Sequence, residues 1–173
     1  MNMRKLGLII LVFISIVTCK GQQLNKTEFD EEAGDNILIG QINLYGLKSA
    51  PFSDWFDLEY NDYQEDDSSL ATVDKDMFID EIKITLVFGT WCSDSRREVP
   101  RFYKILNNLA YDLDNMKVIC VNTNKTAEGE DVESLDIQRV PTFIFYREGV
   151  EIGRIIETPN ESLEKDMAKI IGN

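Results

Sequence analysis

The sequence predicts an α/β/α sandwich with a central mixed β-sheet, and three observations predict it. Ile84–Phe88 (ITLVF) and Lys117–Thr123 (KVICVNT) are apolar runs of the kind that strands buried on both faces require. Between them, from Asp94 to Leu113, the residues Val99, Phe102, Leu106, Leu109 and Leu113 recur at helical spacing. Downstream, TFIFY and EIGRII flank Arg147-Glu148-Gly149, the pattern of a hairpin. Alternating strands and helices read as a parallel sheet, and the hairpin adds antiparallel strands to it.

Read from its start, the chain opens with a basic pair, Arg4 and Lys5, and an apolar run from Leu6 to Val17. That run suits a secretory signal and is too short for a comfortable membrane span. Ile16-Val17-Thr18-Cys19 follows and resembles the lipobox of bacterial lipoproteins, in which the cysteine is lipidated and becomes the mature N-terminus. Residues 1–18 are therefore expected to be a lipoprotein-type signal peptide, and the polar, acidic stretch 19–35 a tether. The folded domain is expected over 36–173. Ile37-Leu38-Ile39 reads as its first strand. Trp55, Phe56, Tyr60 and Tyr63 lie near helical spacing and predict a short aromatic-faced helix.

Gln64 to Ser69 reads as a loop, and Asp74 as the cap of a helix carrying Met77, Phe78 and Ile82. After the second buried strand, the polar loop Asn124–Asp131 leads to a short turn of helix near Glu133. Thr158-Pro159-Asn160-Glu161 has a capping residue, a proline at the first helical position and a glutamate three after the cap. The helix it predicts uses Leu163, Met167, Ile170 and Ile171 and stops at Gly172.

Composition removes several functions. A net charge of −13 argues against nucleic acid, whose phosphates must be met by Lys and Arg. The chain has no histidine, which excludes Ser-His and Cys-His catalysis and His-ligated metals. No metal and no cofactor is expected. An exported location, in the periplasm or at the outer membrane, permits stable disulfides.

The most informative stretch is LVFGTWCSDS, Leu86 to Ser95, where Trp91 and Cys92 stand between a strand and a helix start. Pro100 follows eight residues after Cys92, and Val140-Pro141-Thr142 opens the hairpin. In this order these motifs resemble the thioredoxin-like superfamily. The resemblance implies a cis Pro141 facing Cys92, and Val140, Pro141 and Thr142 as the place where an extended substrate pairs. It departs from the family in three ways. Ser95 stands where a resolving cysteine is usual, and a hydroxyl cannot attack a mixed disulfide. Leu86 occupies the position of a buried acid. Cys120 aligns near the floor of the site, where a lysine is common.

A cysteine at a helix start is favoured as thiolate by the free N–H groups and the helix dipole. Arg96 and Arg97 add positive potential there, and Asp94 opposes them. Ser95 is read either as a hydrogen-bond donor to that thiolate or as a small filler. Cys120 is read as a buried hydrophobe, with a second, resolving thiol as the sharper alternative. Two functions follow from different classes. One is thiol–disulfide exchange by Cys92 alone, as an oxidoreductase or isomerase of monothiol type, on thiols or disulfides of exported proteins or on small thiols. The other is a non-catalytic module that holds a partner peptide beside Pro141. A thiol peroxidase is a third reading, and Gly89, three before Cys92, departs from the peroxiredoxin pattern.

Overall fold

The structure, a computed structural model, describes residues 23–172. Residues 1–18, expected as a signal peptide, and Cys19, expected to be lipidated, lie outside the described residues. Six strands form one sheet: β1 (Lys26–Asp30), β2 (Asp35–Gln41), β3 (Ile82–Phe88), β4 (Met116–Cys120), β5 (Thr142–Arg147) and β6 (Val150–Ile156). Their order is β1-β2-β4-β3-β5-β6. β3 and β4 are parallel, Phe88 opposite Cys120, and the other neighbours are antiparallel. The mixed sheet is as expected. The antiparallel fit of β2 against β4 departs from the parallel pairing that the alternation of the first half predicts, and four helical segments separate β2 from β3.

Strand alternation splits the interior in two. Leu38, Leu86, Phe88, Val118 and Cys120 face one side, where Phe56, Phe78, Phe102 and Met167 from the helices cover them. Those helices are α1 (Leu44–Leu47), α2 (Phe52–Asp62), α3 (Asp67–Leu70), α4 (Lys75–Glu81), α5 (Ser93–Asn108) and α6 (Leu163–Ile171). Ile37, Ile39, Val87, Ile119 and Val121 face the other side and meet Ala127, Val132 and Val140. That second layer is the segment 121–140, with a single turn of 3-10 helix at Glu133–Leu135.

Several elements differ from expectation for identifiable reasons. Part of the stretch expected as a tether is ordered: Lys26–Asp30 is an edge strand paired along its length with β2. Its sequence, KTEFD, contains one large apolar residue, so an edge strand half in water leaves little hydrophobic signal. Ile82 begins β3 instead of ending α4, which Asp74 caps by accepting the Met77 N–H. The Gln64–Ser69 loop contains α3, capped by Asp66. α5 stops at Asn108, and Leu113 opens a 3-10 turn. α6 is capped by Ser162, whose hydroxyl accepts the Lys165 N–H, and not by Thr158. Glu157 still donates its N–H to Pro141 O at 2.6 Å, so the chain at Thr158 has not yet left the sheet.

Charged groups fasten the layers. Arg101 on α5 meets Glu59 on α2 at 2.6 Å, and Tyr63 donates to the fully buried Glu164 of α6 at 2.7 Å. Asp30, at the end of β1, accepts from the N–H groups of Thr123 (3.0 Å), Ala33 (3.0 Å) and Glu32 (2.9 Å). The Thr123 and Ala33 amides hold its carboxyl below the usual range. A lowered carboxyl stabilises the fold above its unfolded value, and the contribution is lost as pH falls through the folded value. Asp30→Asn should therefore lower the denaturation midpoint at neutral pH. The gap from wild type should close below about pH 4, as midpoints measured across that range would show.

Candidate functional site

The site forms where β3 ends. Thr90, almost fully buried, accepts the Leu38 N–H through its hydroxyl at 3.2 Å, which ties the turn to β2. Trp91 folds its indole back over Gly89 and donates from Nε1 to Val121 O at 2.9 Å. A Cβ at Gly89 would stand 2.3 Å from that nitrogen, so glycine is what lets the ring lie there. The turn closes with the Cys92 N–H on Gly89 O at 3.0 Å.

Cys92 is the N-cap residue of α5, with extended backbone angles, and its carbonyl accepts the Arg96 N–H. Its side chain makes no capping bond. Sγ points out of the helix to Val140 O, 3.3 Å away, and is half-buried. The thiol thus lies at the open end of the helix without being spent on the cap.

The facing loop is held at both ends. The Val140–Pro141 peptide is cis. The Thr142 hydroxyl donates to Arg139 O at 2.6 Å, and Thr142 pairs with Val87 in the sheet. Cys92, Trp91, Val140, Pro141 and Thr142 are therefore gathered in one place by two separate stretches of chain.

The remaining candidates sit differently. Ser95 is fully buried, and its Oγ accepts the Gly89 N–H at 3.4 Å. Leu86 is fully buried in the helical core, so no acid stands at that position. Cys120 is fully buried on the helix-covered face of the sheet, whereas Cys92 packs with the other cluster, against residues such as Val87 and Ile119. Burial pushes the Cys120 thiol well above its ordinary value. Cys120, read as a possible second thiol, thus points to the face of β4 opposite that of Ile119 and Val121.

Arg97 is neutralised by Asp94 at 2.8 Å and Glu98 at 2.7 Å. Arg96 donates to Thr90 O at 2.5 Å and lies over the Trp55 ring. Sequence reasoning missed Thr90 and Glu157, which fix the two sides of the site. Thr90 acts through its hydroxyl on a distant backbone N–H and Glu157 through its own N–H, and neither bond leaves a spacing pattern.

A mixed sheet with a cysteine at the start of a helix on its central strand, opposite a cis-proline loop, defines a thioredoxin-like protein. The thioredoxin family model matches residues 66–169, more than half of the chain, and the chain belongs to the thioredoxin family. No curated protein matches it. Similar solved structures include a protein of unknown function from Pseudomonas aeruginosa, 11% identical over 69% of this chain and 79% of that one, with a TM-score of 0.44. Thioredoxin from Fasciola hepatica is 17% identical over 53% of this chain and 79% of its own, with a TM-score of 0.38. The oxidised thioredoxin of Plasmodium falciparum is 17% identical over 63% and 90%, with a TM-score of 0.36. Family membership indicates a function related to thiol–disulfide chemistry.

Proposed function

We propose that this is an exported, lipid-anchored protein that exchanges thiols and disulfides through Cys92 alone. The observation that carries the reading is the placement of Sγ, free of the helix cap and 3.3 Å from Val140 O beside Pro141. The Cys92 thiolate attacks one sulfur of a disulfide. That S–S bond breaks, a Cys92 mixed disulfide forms, and the departing thiolate takes a proton from water. A second thiolate, from the same substrate or from a small thiol, then attacks the mixed disulfide and restores Cys92. The protein ends each cycle in its starting redox state, as isomerisation or thiol transfer requires. Val140, Pro141 and Thr142 would hold the substrate as an extended strand. The substrates fitting this reading are thiol- or disulfide-containing exported proteins.

Acid quenching followed by alkylation of free thiols should trap the wild-type protein in disulfide-linked adducts that dithiothreitol removes. Cys92→Ala should yield none. A wild-type protein that forms no adducts would leave the peptide-holding module as the better account. Anchoring is tested separately. Cys19→Ala should move the protein from the membrane to a soluble exported fraction, and the mature wild-type mass should include acyl chains on Cys19. An unmodified N-terminus elsewhere would refute the anchor.

A further inference from the structure

We propose that the α1 edge of the domain rests on the membrane surface, so that Cys92 faces away from the lipid. The inference depends on the lipid anchor at Cys19. From Cys19 to Asn25 is six residues, at most about 20 Å of fully extended chain. Asn25 is where the chain becomes fastened. Its side chain accepts from the Asn43 N–H at 2.9 Å and donates to Asn43 Oδ1 at 2.8 Å. It also lies directly on Gly46 of α1, where a Cβ would stand 2.5 Å from Asn25 Oδ1. Asn25 N donates to Gln41 O at 3.1 Å. The anchor is therefore joined to the domain through a short link clipped to α1, which restricts how the domain can turn.

The direction of the link follows from the topology. β1 is antiparallel to β2, and β2 is antiparallel to β4, so β1 runs the same way as β3 and β4. All three run towards the end of the sheet that carries Cys92. Asp30 at the end of β1 binds the Thr123 N–H, just beyond the end of β4. The chain before β1 therefore arrives from the other end, and the lipid lies on that side.

The surface around the clip suits a headgroup layer. Tyr45 is 80% exposed and Leu24 is 45% exposed, next to the Asn25–Asn43 pair on either side. A tyrosine with a bare ring and a polar tip is at home where apolar and wet zones meet. Asp114 lines the hollow beside Tyr45, and Lys26 and Lys48 are already paired with Glu28 and Asp57. Among the described residues flanking the clip, both of these cations are matched by carboxylates, so the partner is a zwitterionic bilayer.

The test uses the full lipidated protein in phosphatidylcholine vesicles and a bulky, membrane-impermeant maleimide. Cys120 is fully buried and will not interfere. Wild-type Cys92 should label equally fast before and after detergent release. A Tyr45→Cys, Cys92→Ala variant should label about tenfold slower on vesicles than in detergent, because its thiol sits in the interface. Equal rates for Tyr45→Cys in both states, or slowed labelling of Cys92, would overturn the orientation. The mass of the same preparation separates the two ideas. Acyl chains with equal rates remove the orientation alone, and absent acyl chains remove the anchor and the orientation together.

Discussion

Replacing Ser95 by cysteine should turn the site into one that frees itself. Residues three apart at a helix start share a face, within the Cα separation of about 4.4–6.8 Å that a disulfide spans. In wild type, Ser95 is buried against Gly89 and its hydroxyl leaves a Cys92 adduct untouched. A thiolate in its place attacks intramolecularly. A Cys92 mixed disulfide should then be released at least about a hundredfold faster, by the advantage of a neighbouring nucleophile over one in solution. The variant should gain dithiol reductase activity measurable by insulin turbidity. That activity should stay modest, because Leu86 offers no acid to move a proton. Unchanged release by Ser95→Cys would mean that the first turn of α5 does not present residue 95 to the sulfur.

The largest expected loss of stability follows Phe102→Ala. Phe102 is fully buried in α5, its ring centroid 4.5 Å from that of Phe143 and 6.1 Å from that of Phe145. The contact presses the helix that starts at Cys92 onto the strand that follows Pro141. Removing a buried phenylalanine ring costs about 3–5 kcal/mol, from lost burial and from the cavity left behind. Chemical denaturation should show that drop in midpoint with little change in slope. A loss below about 1 kcal/mol would mean that the core refills the space.

The parts of the fold that were legible are those where burial and spacing agree. The apolar stripe of α5, the run ITLVF and the Asp74 cap follow this rule. So does the hairpin turn, where Glu148 and Gly149 both adopt positive φ. β1 was illegible because an edge strand needs no apolar alternation. Thr158 carried every mark of a cap, yet a hydrogen bond from Glu157 to Pro141 across the chain kept it on the sheet. At the site, Trp91, Cys92 and Pro141 were legible as a motif in the right order. The face of Cys120 was not. Val118 and Cys120 point one way and Ile119 and Val121 the other, and a one-residue slip in register exchanges them. The Gly89 partner of Ser95 was likewise hidden, because a bond to a backbone N–H leaves no spacing pattern.

The central claim is that Cys92 works without an internal resolving thiol, and the lifetime of its adduct tests it most directly. The folded domain is loaded with a thiol reporter as a Cys92 mixed disulfide, and release is followed in thiol-free buffer. Cys92 and Cys120 are the only cysteines after Cys19. The adduct should persist in wild type and in Cys120→Ala alike, and should discharge when an outside thiol is added. Rapid release by wild type that Cys120→Ala abolishes would show that the core thiol reaches the site. Rapid release that survives Cys120→Ala would contradict a monothiol mechanism outright.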